Sequence, residues 1–123
     1  YTCFRNAPAV IIVYGSEYKM IEYKILKDND APQEVLDMLV SPQSAAQGIG
    51  AAVENFLLAA TEMGYGTCYM TGPTHAKVEI EKLIGFNKPG FELMSLIALG
   101  VPEEKTPPKP ARKPLEEVVT FID

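Results

Sequence analysis

A sheet covered by helices, of the α/β or α+β class, is the fold that the order of elements in this sequence predicts. Three observations carry the prediction. Short apolar, strand-like runs occur at residues 7–15, 67–70 and 91–100; a long stretch with helical periodicity separates the first two; a shorter one separates the second from the third. Strands and helices in alternation must bury one apolar face each, and a helix-on-sheet layering does that for both. With 123 residues, 47% of them hydrophobic and 22% charged, the chain has the length of one domain and the balance of a folded globular protein.

The first run, Ala-Pro-Ala-Val-Ile-Ile-Val-Tyr-Gly at residues 7–15, is β-branched and bounded by Pro8 and Gly15, the pattern of a central strand buried on both faces. Residues 18–30 are mixed and charged and end in Asp28-Asn29-Asp30, which predicts a surface connection. One or two helical turns are expected over residues 32–39. The longest element starts near Ser41 or Ser44, where Ser41-Pro42 offers an N-cap followed by proline in the first turn, and it runs to Gly64. Within it Ile49, Val53, Phe56, Leu57, Ala60 and Met63 recur at steps of three and four, giving a helix of about 20 residues, roughly 30 Å long.

Gly48 and Gly50 lie in the first half of that helix, where each costs about 1 kcal/mol relative to alanine. With Ala45, Ala46, Ala51 and Ala52 they form a surface almost free of side-chain bulk, suited to the close approach of another backbone or a flat ligand. Glu54 and Asn55 are expected to make hydrogen bonds that fix helix packing. Residues 67–70 then form a strand that stops at Thr71-Gly72-Pro73. Thr74 is placed to cap a helix from about His75 to Ile84, burying Ile80, Leu83 and Ile84 and stopping at Gly85. After an Asn87-Lys88-Pro89-Gly90 turn, residues 91–100 make the most apolar segment and a second central strand. Residues 102–114 are rich in proline and charge and should cross the surface in extended form, while the tail at 115–123, with Val118, Val119, Phe121 and Ile122, is apolar enough for an edge strand.

Composition excludes several functions. A formal net charge of -5 opposes phosphate-backbone recognition, so nucleic acid is not an expected partner. No apolar run approaches the roughly 20 residues that span a bilayer, and the first residues lack the basic-then-apolar order of a signal peptide, so no membrane partner is expected and a cytoplasmic location is. Cys3 and Cys68 have no metal-type spacing and are expected to be reduced, buried thiols. His75 is the single histidine, which leaves a Ser/His or Cys/His mechanism without its base elsewhere in the chain. Tyr65 and Tyr69 flank a strand and are expected in the core.

One resemblance is carried by residues 51–60, Ala-Ala-Val-Glu-Asn-Phe-Leu-Leu-Ala-Ala, followed by residues 63–73, Met-Gly-Tyr-Gly-Thr-Cys-Tyr-Met-Thr-Gly-Pro. It continues through Leu83-Ile84-Gly85-Phe86, through Ile97-Ala98-Leu99-Gly100-Val101-Pro102, and into Arg112-Lys113-Pro114-Leu115-Glu116-Glu117-Val118-Val119. In this order and spacing the segments resemble the nitroreductase superfamily over most of the chain from about Ala45 onward. The resemblance implies an α+β sandwich, built as an intertwined homodimer, with FMN at the interface. It implies an FMN-dependent oxidoreductase passing hydride from NAD(P)H through flavin to a nitroaromatic, a quinone or a similar electron acceptor. The flavin then carries the chemistry, and no side chain of this chain is assigned a catalytic role.

Residue by residue, Met70, Thr71, Gly72 and Pro73 match the family segment whose backbone passes the isoalloxazine edge near N5 and O4. A glycine suits that place because no Cβ stands between backbone and ring. Arg112, together with Lys113, matches the basic position that contacts the FMN phosphate, for which a guanidinium offers a planar fork. The family's N-terminal portion, with its Arg-rich phosphate and ribityl motif, has no counterpart in these residues, and Gly48 stands where many relatives carry an acidic residue. The chain, opening on Tyr1, is therefore expected to be the C-terminal two-thirds of such a domain, a single partial domain over residues 1–123. The alternative is a non-catalytic dimeric binding module that kept the scaffold and lost the flavin site.

Overall fold

The segment with the greatest apolar content takes the middle of the sheet. The computed structural model describes residues 4–40, 42–103 and 110–122. In it β3 (Phe91–Gly100) is hydrogen-bonded on one side to β1 (Ala9–Ser16) and on the other to β2 (Gly66–Met70), both antiparallel, in the order β1-β3-β2. Leu93, Ser95, Ile97 and Ala98 of β3 are all buried. The sheet is thus wholly antiparallel, and with helices packed on it the class is α+β.

β1 occupies an outer position among the described strands, pairing with β3 alone, where the sequence predicted an inner one. A β-branched run records burial of faces and is silent on how many neighbours a strand has. Its register breaks once: Val13 lies opposite Ser95 and Tyr14 opposite Leu93, so Met94 has no partner across the ladder. This is a bulge, which twists the strand locally and re-aims side chains. Beside it, a Cβ on Gly15 would meet the Cδ1 of Ile49 and the Cγ of Met94, so the helix carrying Ile49 lies nearly against the strand backbone.

That helix, α3 (Pro42–Glu62), has 21 residues, as its periodicity predicts. Val53 and Ala60 are buried and Ile49, Phe56 and Leu57 half-buried, but Met63 is 72% exposed, because it sits past the last helical turn, just before Gly64 with φ 83°. The Ser41 cap lies outside the described residues. Glu54 and Asn55 are exposed and their side chains make no hydrogen bond among the described residues, so they do not fix the packing as expected.

Residues 18–30, read as a surface connection, contain α1 (Ile21–Asp28), and α2 (Gln33–Met38) follows as expected. α1 escapes a sequence reading because Met20, in its cap position, makes no side-chain cap and none of its residues is buried, Ile21 and Ile25 being exposed. An isolated bridge between Lys19 and Val40 closes the base of this two-helix excursion.

After β2 the chain makes a 3-10 turn (Gly72–Ala76) and then α4 (Lys77–Ile84), with Ala76 in the cap position in place of Thr74. The Thr74 hydroxyl bonds the Thr71 carbonyl instead. Ile80 is half-buried, Leu83 is 86% exposed and Ile84 is exposed, against the expected burial of all three. Gly85 ends the helix at φ 64°, as predicted. The tail forms a 3-10 turn (Leu115–Glu117) and no strand among the described residues; Phe121 and Ile122 stay exposed, since no strand edge of this chain is reached to pair with. Residues 104–109 of the proline-rich connection lie outside the described residues, and 110–114 have no regular structure.

Alternation along β1 turns Tyr14 to the face opposite Gly15, where its ring meets Phe86 at 5.1 Å between centroids. Its hydroxyl is buried with no hydrogen-bond partner among the described residues, and so is that of Ser95. Burial pushes the Tyr14 pKa up, the carboxylate of Glu81 adds to the rise, and Lys77 opposes it.

Three outcomes are expected. Gly15→Ala destabilises by about 1–3 kcal/mol in urea unfolding, since Ile49 and Met94 must move aside. Ser95→Ala leaves stability unchanged or raises it by up to about 1 kcal/mol, because it deletes a buried hydroxyl without a partner among the described residues. The folded protein holds the Tyr14 proton to higher pH than the unfolded chain, so the Tyr14 contribution to stability is lost as pH rises above about 10. Unfolding followed across that range should accordingly show a shallower alkaline decline in Tyr14→Phe.

Candidate functional site

Met70 is the last residue of β2 and pairs with Leu96, in the middle of β3, so β3 continues past the point where β2 ends. Thr71 then leaves the strand with φ -100° and ψ -28°, and Gly72 and Pro73 open the 3-10 turn. Proline suits the first turn because its missing N–H has no partner there in any case. The Thr71 carbonyl accepts two hydrogen bonds from Thr74, one from its N–H at 3.1 Å and one from its Oγ1 at 2.7 Å. Thr71 and Gly72 are exposed and Met70 and Pro73 half-buried. Beyond its two chain neighbours, no atom of the described residues lies within 4 Å of where a Gly72 Cβ would stand, so the backbone here faces open space.

Of the residues singled out in the sequence, Met70, Thr71, Gly72 and Pro73 thus form one continuous backbone corner at the end of β2. Arg112 and Lys113 are exposed in the irregular segment before the final turn, and no hydrogen bond or ion pair among the described residues engages either or links them to the corner. His75 is exposed within the 3-10 turn. Tyr65 and Tyr69 are 41% and 46% exposed, outside the core in which they were expected. Cys68 is half-buried on β2, and Cys3 lies outside the described residues.

One charged group beside the corner was not singled out from the sequence. Lys77, which begins α4 straight after the turn, bonds Glu92 at the start of β3 at 2.7 Å and lies 4.0 Å from Glu81. The bond to Glu92 is the main cause of the raised Lys77 pKa. The spacing of Lys77 and Glu81 by four is visible in the sequence, whereas Glu92 is 15 residues away and is brought in by the antiparallel return of β3. Among the described residues no three His, Cys, Asp or Glu side chains gather as metal ligands, and no helix is long and apolar enough to cross a membrane.

In kind, open glycine backbone fits a ring edge, and a guanidinium and an ammonium that no group among the described residues engages fit phosphate oxygens.

Comparison with known proteins places the fold. A BluB-like flavoprotein from Clostridium difficile is 38% identical, with a TM-score of 0.75 over 98% of this chain and 56% of its own. A nitroreductase from Bacteroides fragilis, solved with bound FMN, is 19% identical with a TM-score of 0.61, over 100% of this chain and 55% of its own. A nitroreductase family protein from Streptococcus pneumoniae is 23% identical with a TM-score of 0.62, over 94% and 65%. The chain therefore spans between about half and two-thirds of the length of these structures. No curated protein matches it significantly. Residues 2–101, most of the chain, match the Nitroreductase family, and the chain therefore belongs to that family.

Proposed function

We propose that this protein is a flavin oxidoreductase that uses FMN, taking hydride from NAD(P)H and delivering it to a nitroaromatic, a quinone or a similar acceptor. The observation that carries the reading is the open backbone corner at Gly72, in the segment that resembles the flavin-edge segment of the family. The chemistry supplied by bound FMN is two-electron transfer between a nicotinamide and an acceptor. The chain's own part is to bind and orient. Met70, Thr71, Gly72 and Pro73 offer backbone against which a ring edge can lie, and Arg112 and Lys113 offer charge-assisted donors for a phosphate. That the 38% identical relative is a flavoprotein supports the assignment.

The working form in this proposal is a homodimer. In support, Ala46, Gly48, Ala51 and Ala52 of α3 are exposed in the single chain, and beyond its own stretch of helix a Cβ on Gly48 would meet no atom of the described residues within 4 Å. Leu58 is 59% exposed on the same helix, and the apolar tail residues Leu115, Val118, Phe121 and Ile122 are uncovered. A second copy packed on α3 would bury this surface and bring two backbones close.

Titration with FMN tests the reading. The purified full-length protein is expected to turn yellow and to carry the flavin through size exclusion as a dimer. Arg112→Ala is expected to weaken FMN binding by roughly tenfold to a hundredfold, the loss of a charged hydrogen bond. A colourless monomer, or an Arg112→Ala variant that binds as tightly as wild type, refutes it.

A further inference from the structure

We infer that Thr74 is a positioning residue for the flavin edge, acting through the peptide bond between Thr71 and Gly72, an assignment that rests on the flavin reading above. Thr74 holds the Thr71 carbonyl twice, with its N–H at 3.1 Å and with its Oγ1 at 2.7 Å. A trans peptide is planar, and its C=O and N–H point in opposite directions. Pinning the Thr71 oxygen towards Thr74 therefore turns the Gly72 N–H away from the turn.

Among the described residues no acceptor is found for that N–H. Gly72 is exposed, and beyond its chain neighbours nothing among the described residues stands within 4 Å of where its Cβ would be, so the backbone beside the donor is open. Pro73 contributes no N–H of its own, which leaves Gly72 as the donor at this part of the corner. The backbone N–H bond alone would close the turn. The added hydroxyl bond doubles the hold on one oxygen and restricts the rocking of the peptide plane, so less orientational freedom is lost when an acceptor arrives. Threonine suits the task because branching at Cβ leaves few χ1 states, one of which places Oγ1 on the carbonyl three residues back.

An oriented donor at the ring edge bonds more strongly to the reduced, more electron-rich flavin than to the oxidised one, so it raises the flavin potential. A threonine that merely stiffened a turn would leave that potential where it is. This gives a readout separate from stability and from turnover.

The test uses full-length holoprotein with FMN, in wild type and in Thr74→Val, Thr74→Ala and Thr74→Ser. Two quantities are measured: the FMN midpoint potential by redox titration against a reference dye, and the shift of the Gly72 amide signal when FMN is added to nitrogen-labelled apoprotein. Thr74→Val and Thr74→Ala are expected to bind FMN roughly three- to tenfold more weakly, to move the potential to more negative values and to diminish the Gly72 shift. Thr74→Ser is expected to stay with wild type; the alanine variant serves if valine perturbs folding. Wild-type potential and Gly72 shift in Thr74→Ala, or the same displacement in Thr74→Ser as in Thr74→Ala, overturns the role of the hydroxyl while the flavin reading stands. A wild-type protein that takes up no FMN overturns both.

Discussion

The position of β3 between two antiparallel neighbours is the constraint from which the remaining geometry follows. Ile97 is 1% exposed and Ser95 fully buried, and from Leu96 to Leu99 the strand is paired with β1 on one side and β2 on the other. A strand in that position cannot shift by one residue without exchanging its two faces. Its register therefore decides where β2 ends, which residue of β1 stands at the bulge, and how near α3 approaches. Gly15 and Ile49 meet because Val13 pairs with Ser95 and the bulge at Met94 follows.

The candidate site is a consequence of unequal strand lengths. β2 has five residues and β3 ten, so β2 stops against the middle of its partner and the chain turns while β3 runs on beside it. The turn is tightened by Thr74 and entered through Gly72 and Pro73, which leaves a short stretch of uncluttered backbone at the sheet. Lys77 follows at once and is tied to Glu92 at the beginning of β3, linking the start of α4 to the strand that supports the corner. Exposed charge pairs of this kind contribute little stability. Here the pair joins the two elements on either side of the corner.

Burial is distributed unevenly around this spine. The buried apolar side chains among the described residues lie on β3, on α3 and at Leu36 of α2. α1, the outer face of α4 and the tail carry apolar side chains such as Ile21, Leu83 and Ile122 that meet water. Uncovered apolar surface on this scale is characteristic of surfaces that another protein element covers.

Much of this was legible in order and type. The strands at 7–15, 67–70 and 91–100, the long helix, the stop at Gly85 and the family resemblance all follow from local patterns: β-branched runs, three- and four-residue steps, and glycine where a left-handed φ is needed. Gly72 was legible as a backbone opening because glycine is the residue whose meaning is local. What the linear pattern misjudged shares one cause. An outer β1, an exposed Met63 and Leu83, a solvent-facing Tyr69 and an unpaired tail all concern which neighbour covers a side chain, and α1 went unseen because its apolar residues cover nothing.

Sequence by itself determined the elements and the chemistry each could offer, since dihedral preference, side-chain donors and charge belong to residues singly or to close neighbours. Tertiary structure alone decided the strand order, the approach of α3 at Gly15, the joining of Lys77 to Glu92 and the two-fold hold of Thr74 on the Thr71 carbonyl. Each of these is a meeting of groups whose distance is set by packing, and packing depends on every residue of the core at once.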